Sequence, residues 1–145
     1  MAAAVKLMST DDLQTDLEHA SSLKSFLQRN EDRLQVPSFA EIMERMLKQK
    51  GLSKAELAKR AGTSEVYLHQ LFSGRRKASR TRMICLCIGL SASLPETQKI
   101  LHQSGMSQLY PKVKQDAIIM YGILHQMNLF EINDLLFEEK ETMLL

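Results

Sequence analysis

Apolar residues recur along this chain every three or four positions, and almost no stretch alternates with a period of two. That periodicity predicts helices throughout and an all-α fold. Leu57, Ala58 and Ala61 form one inner face, and Leu68, Leu71 and Phe72 form the next. The run from Met83 to Leu90 is apolar almost without interruption. Further on, Ala117, Ile118, Ile119, Met120, Ile123 and Leu124 make a segment that is apolar on nearly every side. Such a helix lies either at the centre of a core or between subunits. Leu129, Phe130, Ile132, Leu135, Leu136 and Phe137 add more apolar surface than a peripheral helix needs.

Helix starts are marked by a serine followed three residues later by a glutamate, at Ser38 and Glu41, Ser53 and Glu56, and Ser93 and Glu96. In that arrangement the serine oxygen accepts from an early backbone N–H, and the glutamate reaches back to the cap N–H. Asn128 and Glu131 repeat the pattern with asparagine as cap. Gly51, Gly62, Gly74, Gly89 and Gly105 each follow a helical pattern and read as helix ends. The resulting map places helices at roughly 10–20, 22–34, 39–50, 54–61, 65–73, 79–89, 94–104, 113–127 and 129–139.

The chain's 145 residues suffice for a domain with a real core, and 44% apolar with 25% charged residues is ordinary for a globular protein. The N-terminal stretch MAAAVKLMSTDD has too short an apolar run for a signal peptide. The uncharged run from Ala117 to Phe130 is shorter than the roughly 18 residues a membrane span needs. No membrane role and a cytoplasmic location are therefore expected. Cys85 and Cys87, two apart in an apolar helix, point to different sides and read as buried reduced thiols. His19, His69, His102 and His125 lie on separate elements without acidic or thiol partners at ligand spacing, so no metal and no cofactor is expected. No phosphate-cradling glycine loop, nucleophile elbow or paired-carboxylate motif occurs, and the chain does not read as an enzyme.

Net charge is only +2, but residues 38–90 carry +7, against −2 for residues 1–37 and −3 for residues 91–145. A basic middle between acidic ends is either an anion-binding face or a solvated helical surface. The helix pair 54–61 and 65–73 favours the first. Ala58, Gly62, Leu68 and Leu71 have the spacing of a helix-turn-helix unit, with Gly62 supplying the positive φ of the turn. A cationic loop, Gly74-Arg75-Arg76-Lys77, follows.

The stretch LSKAELAKRAGTSEVYLHQLFSGRRKASR resembles the phage-repressor/Cro-like, or Xre-type, family of helix-turn-helix regulators. The resemblance covers residues 38 to about 104. It implies a lambda-repressor-like five-helix DNA-binding domain at 38–104, with a helical extension at 1–37 and another at 105–145. The second extension, with QLYPKVKQDAIIMYGILHQMNLFEINDLL, looks like the C-terminal part of some bacterial regulators of this type and is a candidate for dimerisation.

What the resemblance implies is binding of double-stranded DNA by a homodimer, with helix 65–73 in the major groove. Base-reading positions then fall at Glu65, Val66 and Gln70. Lys54 and Ser64 fall at backbone-contacting positions, as do Arg75, Arg76 and Lys77 in the loop, while Tyr67 and His69 lie near the DNA-facing side. The chemistry agrees: Gln70 matches the N6 and N7 edge of adenine, Val66 a thymine methyl, and cations at the other positions displace counterions from phosphates. Thr63 departs from the family's preference for an aliphatic residue, and Glu65 stands where glutamine is common. Glu65 either accepts from cytosine N4 or only favours the positive end of its helix. A transcriptional regulator, in the first place a repressor acting on an operator, is the leading expectation. The alternative is a protein-interaction module, such as an antitoxin or adaptor, whose partner meets the C-terminal helices. The tail FEEKETMLL reads as a disordered or docking segment.

Overall fold

The structure is a computed structural model that describes residues 10–145. The first nine residues, with the apolar N-terminal stretch read above, lie outside the described residues. The described residues contain helices and turns only, in two compact units that divide between Val36 and Pro37.

The first unit holds α1 (Thr10–Glu18) and α2 (Leu23–Arg29). The pattern predicts one helix over 22–34, but the chain breaks at Asn30 and continues as a 3-10 turn, Glu31–Arg33. Asn30 is buried, and its side-chain amide donates to Asp16 Oδ2 at 2.7 Å and to the Phe26 carbonyl at 3.0 Å. A side chain that bonds to the backbone in this way competes with continuation of the helix. Arg29 completes the tie at 2.9 Å from Asp16. The Asn30 hydrogen bond, with Arg29 helping, holds the Asp16 carboxyl below its ordinary value.

The second unit, Pro37–Leu145, holds α3 (Phe39–Lys50), α4 (Lys54–Arg60), α5 (Glu65–Phe72), α6 (Arg80–Gly89), α7 (Leu94–Gln103), α8 (Lys114–Leu124) and α9 (Leu129–Glu138). All four Ser/Asn–Glu pairs close as complete capping boxes, at Ser38, Ser53, Ser93 and Asn128. The central helix is α6, whose residues Met83 through Gly89 are all buried. It packs against α4, α7 and α9, while α5 lies on α3 and α4, and α8 pairs with α9.

Gly89 is the last residue of α6, as the pattern places it, but it does not supply a left-handed turn; a Cβ there would lie 3.0 Å from the Ala61 backbone nitrogen. A side chain there would be tight, because the end of α6 and the cap of α4 approach closely at that point. The left-handed position that ends the helix falls two residues later, at Ser91, with φ +55. From sequence the two uses of glycine look alike, since both follow a helical pattern.

Residues 105–145 share the core of the preceding helices. Leu129, Ile132, Leu136 and Leu144 belong to one buried cluster with Leu57, Ala58, Ala61, Cys85 and Leu86. The polar anchor of this arrangement is Asp116, which is buried on α8. It accepts from Arg80 at 3.1 Å and from the Tyr110 backbone N–H at 3.0 Å. Arg80 also donates to the carbonyls of Ser107 and Gln108. The tail does not hang free: Gln115 donates to the Thr142 carbonyl, and Asn133 Oδ1 accepts from the N–H of Leu144 at 2.7 Å and of Leu145 at 3.2 Å. Leu144 is buried, and the Leu145 methyls reach the turn at Gly62. Both thiols are buried and free of disulfides, and burial pushes Cys85 up to about 11 and Cys87 up to about 12.

Candidate nucleic-acid interface

The interface is built from α4, the turn after it, α5 and the loop to α6. Helix α4 starts at the Ser53 capping box and buries Leu57 and Ala58. It is closed by the N–H of Thr63 on the Ala58 carbonyl at 2.9 Å and the N–H of Gly62 on the Lys59 carbonyl at 3.3 Å. Those bonds require a left-handed residue, and Gly62 provides it with φ +66. Ser64 then caps α5, its hydroxyl oxygen accepting from the Tyr67 N–H at 3.1 Å. The hydroxyl hydrogen stays available to donate outward.

Two leucines fix the rotation of α5. Leu68 and Leu71 are 0% and 2% exposed, so the opposite side of the helix faces solvent. Burying each stabilises by about 1.5–3 kcal/mol, which sets the orientation firmly for so short a helix. Glu65, Val66 and His69 are consequently exposed, and Gln70 and Tyr67 half-buried. Val66 is 68% exposed, an apolar side chain that no packing accounts for. Glu65 occupies the first helical turn, where its charge favours the macrodipole.

The expected backbone-contacting residues converge around this helix. Lys54, at the start of α4, lies with its ammonium 4.2 Å from the centroid of Phe72, the last residue of α5. Phe72 is braced in turn by Phe39, edge to face, with centroids 5.5 Å apart. The loop after α5 folds back on it, with the Arg76 N–H and the Ser73 hydroxyl both donating to the Gln70 carbonyl. Arg75, Arg76 and Lys77 are exposed there. Among the described residues, none of Lys54, Arg75, Arg76 and Lys77 makes an ion pair with a carboxylate.

One residue of this surface escapes the sequence pattern. The guanidinium of Arg82, in the first turn of α6, lies 5.7 Å from the centroid of the Tyr67 ring, and that of Arg76 lies 5.9 Å from the same ring. The available signal is that α6 begins with Arg80 and Arg82 and has no acidic residue in its first turn. The four histidines are all exposed, and His125 stacks on Tyr121 at 4.0 Å. Among the described residues no group of three or more His, Cys, Asp or Glu is arranged to hold a metal ion, and no helix is long and apolar enough to cross a membrane.

Comparison with known proteins adds one finding. Residues 42–94 match the model of a protein family described as helix-turn-helix. No curated protein and no solved structure matches the chain significantly. The matched segment runs from α3 to the first residue of α7, and contains α4, α5 and the loop between α5 and α6.

Proposed function

Given that residues 42–94 are an Xre-type helix-turn-helix domain, the DNA-binding module of a regulator, we propose that the protein represses transcription by binding an operator as a homodimer. In this reading α5 lies in the major groove, with Glu65, Val66 and Gln70 toward the bases. Lys54, Ser64, Arg75, Arg76 and Lys77 meet the backbone, and the protein works in the cytoplasm. The observation that carries the reading is the solvent face of α5, with readable side chains surrounded by cations that lack carboxylate partners. Such cations neutralise DNA phosphates and release the counterions condensed there, which drives association.

The homodimer is supported by apolar surface that the fold leaves uncovered. On α8 and α9, Tyr121, Leu124, Phe130 and Phe137 are each more than half exposed. Leu124 and Phe130 border a cleft of about 970 Å³ between α4 and the α8–α9 turn, with Lys59 and Arg60 on its other side. Isolated exposed apolar residues are ordinary, but a group on two adjacent helices is what an interface core requires.

The test is selection of bound sequences from random duplex DNA at physiological salt, with wild type and Gln70→Ala in parallel. Wild type is expected to enrich a two-fold symmetric site. Gln70→Ala should lose preference at one base pair per half-site, at a cost of about 1–3 kcal/mol there. The same preferred site for both proteins would contradict the placement of α5. A wild type without any preferred site would favour the second reading, a protein-interaction module, for which the same exposed aromatic residues on α9 supply a surface.

A further inference from the structure

We propose that Tyr67, Arg76 and Arg82 form a phosphodiester-binding clamp beside the recognition helix, in which Arg82 makes the contact and Tyr67 positions it. The inference rests on the DNA-binding reading above and adds to it a residue from outside the helix-turn-helix and its loop.

Three observations lead to it. First, α6 opens with two arginines and no acid, at the helix end where the backbone dipole disfavours positive charge. Arg80 is compensated by Asp116 and by two carbonyls. Arg82 has no carboxylate partner among the described residues. Second, Arg82 and Arg76 come from different elements to the same aromatic ring. A π face attracts one guanidinium by roughly 0.5–1 kcal/mol at an exposed site, but it does not relieve the repulsion between two. An anion near both does. Third, the ring belongs to α5 itself. Tyr67 is half-buried and lies one residue after Val66, so an anion held there sits at the edge of the surface that meets DNA. A phosphodiester fits because its oxygens accept two guanidinium forks, which a point charge such as lysine cannot match.

Tyr67 is thereby assigned as a positioning residue and not a base reader. Its ring limits where two long side chains go, and so lowers the rotamer entropy lost when they engage phosphate.

The experiment measures binding of a fluorescein-labelled duplex to the full chain by anisotropy, from low to moderate salt. The proteins compared are wild type, Arg82→Ala, Arg82→Lys, Tyr67→Phe, Tyr67→Leu and the Tyr67→Leu/Arg82→Ala pair. Arg82→Ala should reduce the slope of log affinity against log salt by about one, and weaken binding roughly five-fold at 0.15 M salt. The loss should be equal on a preferred and a random duplex. Arg82→Lys should recover the slope but only part of the affinity. Tyr67→Phe should behave as wild type, and Tyr67→Leu should resemble Arg82→Ala. The double variant should then lose little more than either single one, which a merely structural role for Tyr67 would not produce. Wild-type slope and affinity in Arg82→Ala, with wild type binding normally, would overturn the clamp and leave the DNA-binding reading standing. A loss confined to one base-pair position would overturn it too, since phosphate contacts are blind to sequence. Absence of salt-dependent binding by wild type would overturn both.

Discussion

Lys50 and Arg80 carry the same charge as Lys54 and Arg82, and charge alone does not set them apart. In the fold they serve different ends. Lys50 donates to Glu96 at 3.0 Å, joining the end of α3 to the start of α7, and Arg80 joins α6 to α8 through Asp116. Lys54 and Arg82 rest instead on aromatic rings of α5, Phe72 and Tyr67, both half-buried. A cation with a carboxylate partner has its field cancelled locally and cannot draw in a polyanion. A cation braced by a ring keeps its full charge and loses only its freedom. The +7 balance of residues 38–90 thus overstates the binding surface, because part of it is spent on holding helices together.

The largest effect is expected from cutting a structural tie. Asp116→Ala removes a buried acceptor and leaves the Arg80 guanidinium and the Tyr110 N–H without it. Stability should drop by about 2–4 kcal/mol in chemical denaturation. The salt slope of DNA binding, measured where the variant is still folded, should not change. A changed slope would mean that Arg80 belongs with the binding cations. The converse experiment is Arg75→Ala with Arg76→Ala. Here the slope should fall by about two and affinity by roughly five-fold per residue at 0.15 M salt, with thermal stability within about 0.5 kcal/mol of wild type. An unaltered slope would remove the loop from the binding set.

A smaller effect separates the two roles of Glu65. In Glu65→Gln, loss of the helix-dipole contribution should cost about 0.3–1 kcal/mol in stability. If the residue also reads cytosine, selection should show a new preference at one position; otherwise preferences should stay as in wild type. Smallest of all is the acid response of the Lys50–Glu96 tie. The Ser93 N–H, and after it Lys50, hold the Glu96 carboxyl below its ordinary value of 4.5. Its folded pKa is depressed, so its contribution is present above 4.5 and is lost as the pH falls through the lower folded value. Melting temperature should decline in that range, and less steeply in Glu96→Gln. Equal acid sensitivity in the two proteins would show that the tie adds nothing to stability.

Much of this arrangement is legible in the sequence, for a local reason. A capping box spans four residues and a helix-turn-helix about twenty, so Ser38, Ser53, Ser93 and Asn128 announce helix starts, and Leu68 with Leu71 announces which side of α5 is hidden. What stays hidden depends on partners far along the chain. Asn30 ends α2 through Asp16, fourteen residues earlier. Gly89 follows a helical pattern as Gly51 does, and the approach of Ala61 separates the two uses. Arg82 reads as one more cation until α6 returns its first turn to Tyr67. The tail FEEKETMLL is dominated by charge, and its apolar tip finds a place only because α6, α9 and the α4–α5 turn leave room for two leucines.

That last contact bears on when the binding surface becomes complete. Leu145 reaches Gly62, two residues before the cap of α5, and Leu144 lies under α6 beside Cys85. The turn that aims α5 is therefore supported by residues far along the chain from the motif itself. On a ribosome, α4 and α5 emerge long before their support does, and the gap is filled only when residues 144 and 145 have cleared the exit tunnel. Long-range closure of this kind comes late in folding, because its loop entropy is paid before any contact rewards it. A nascent chain halted between α7 and α8 would hold the whole helix-turn-helix sequence without its finished geometry.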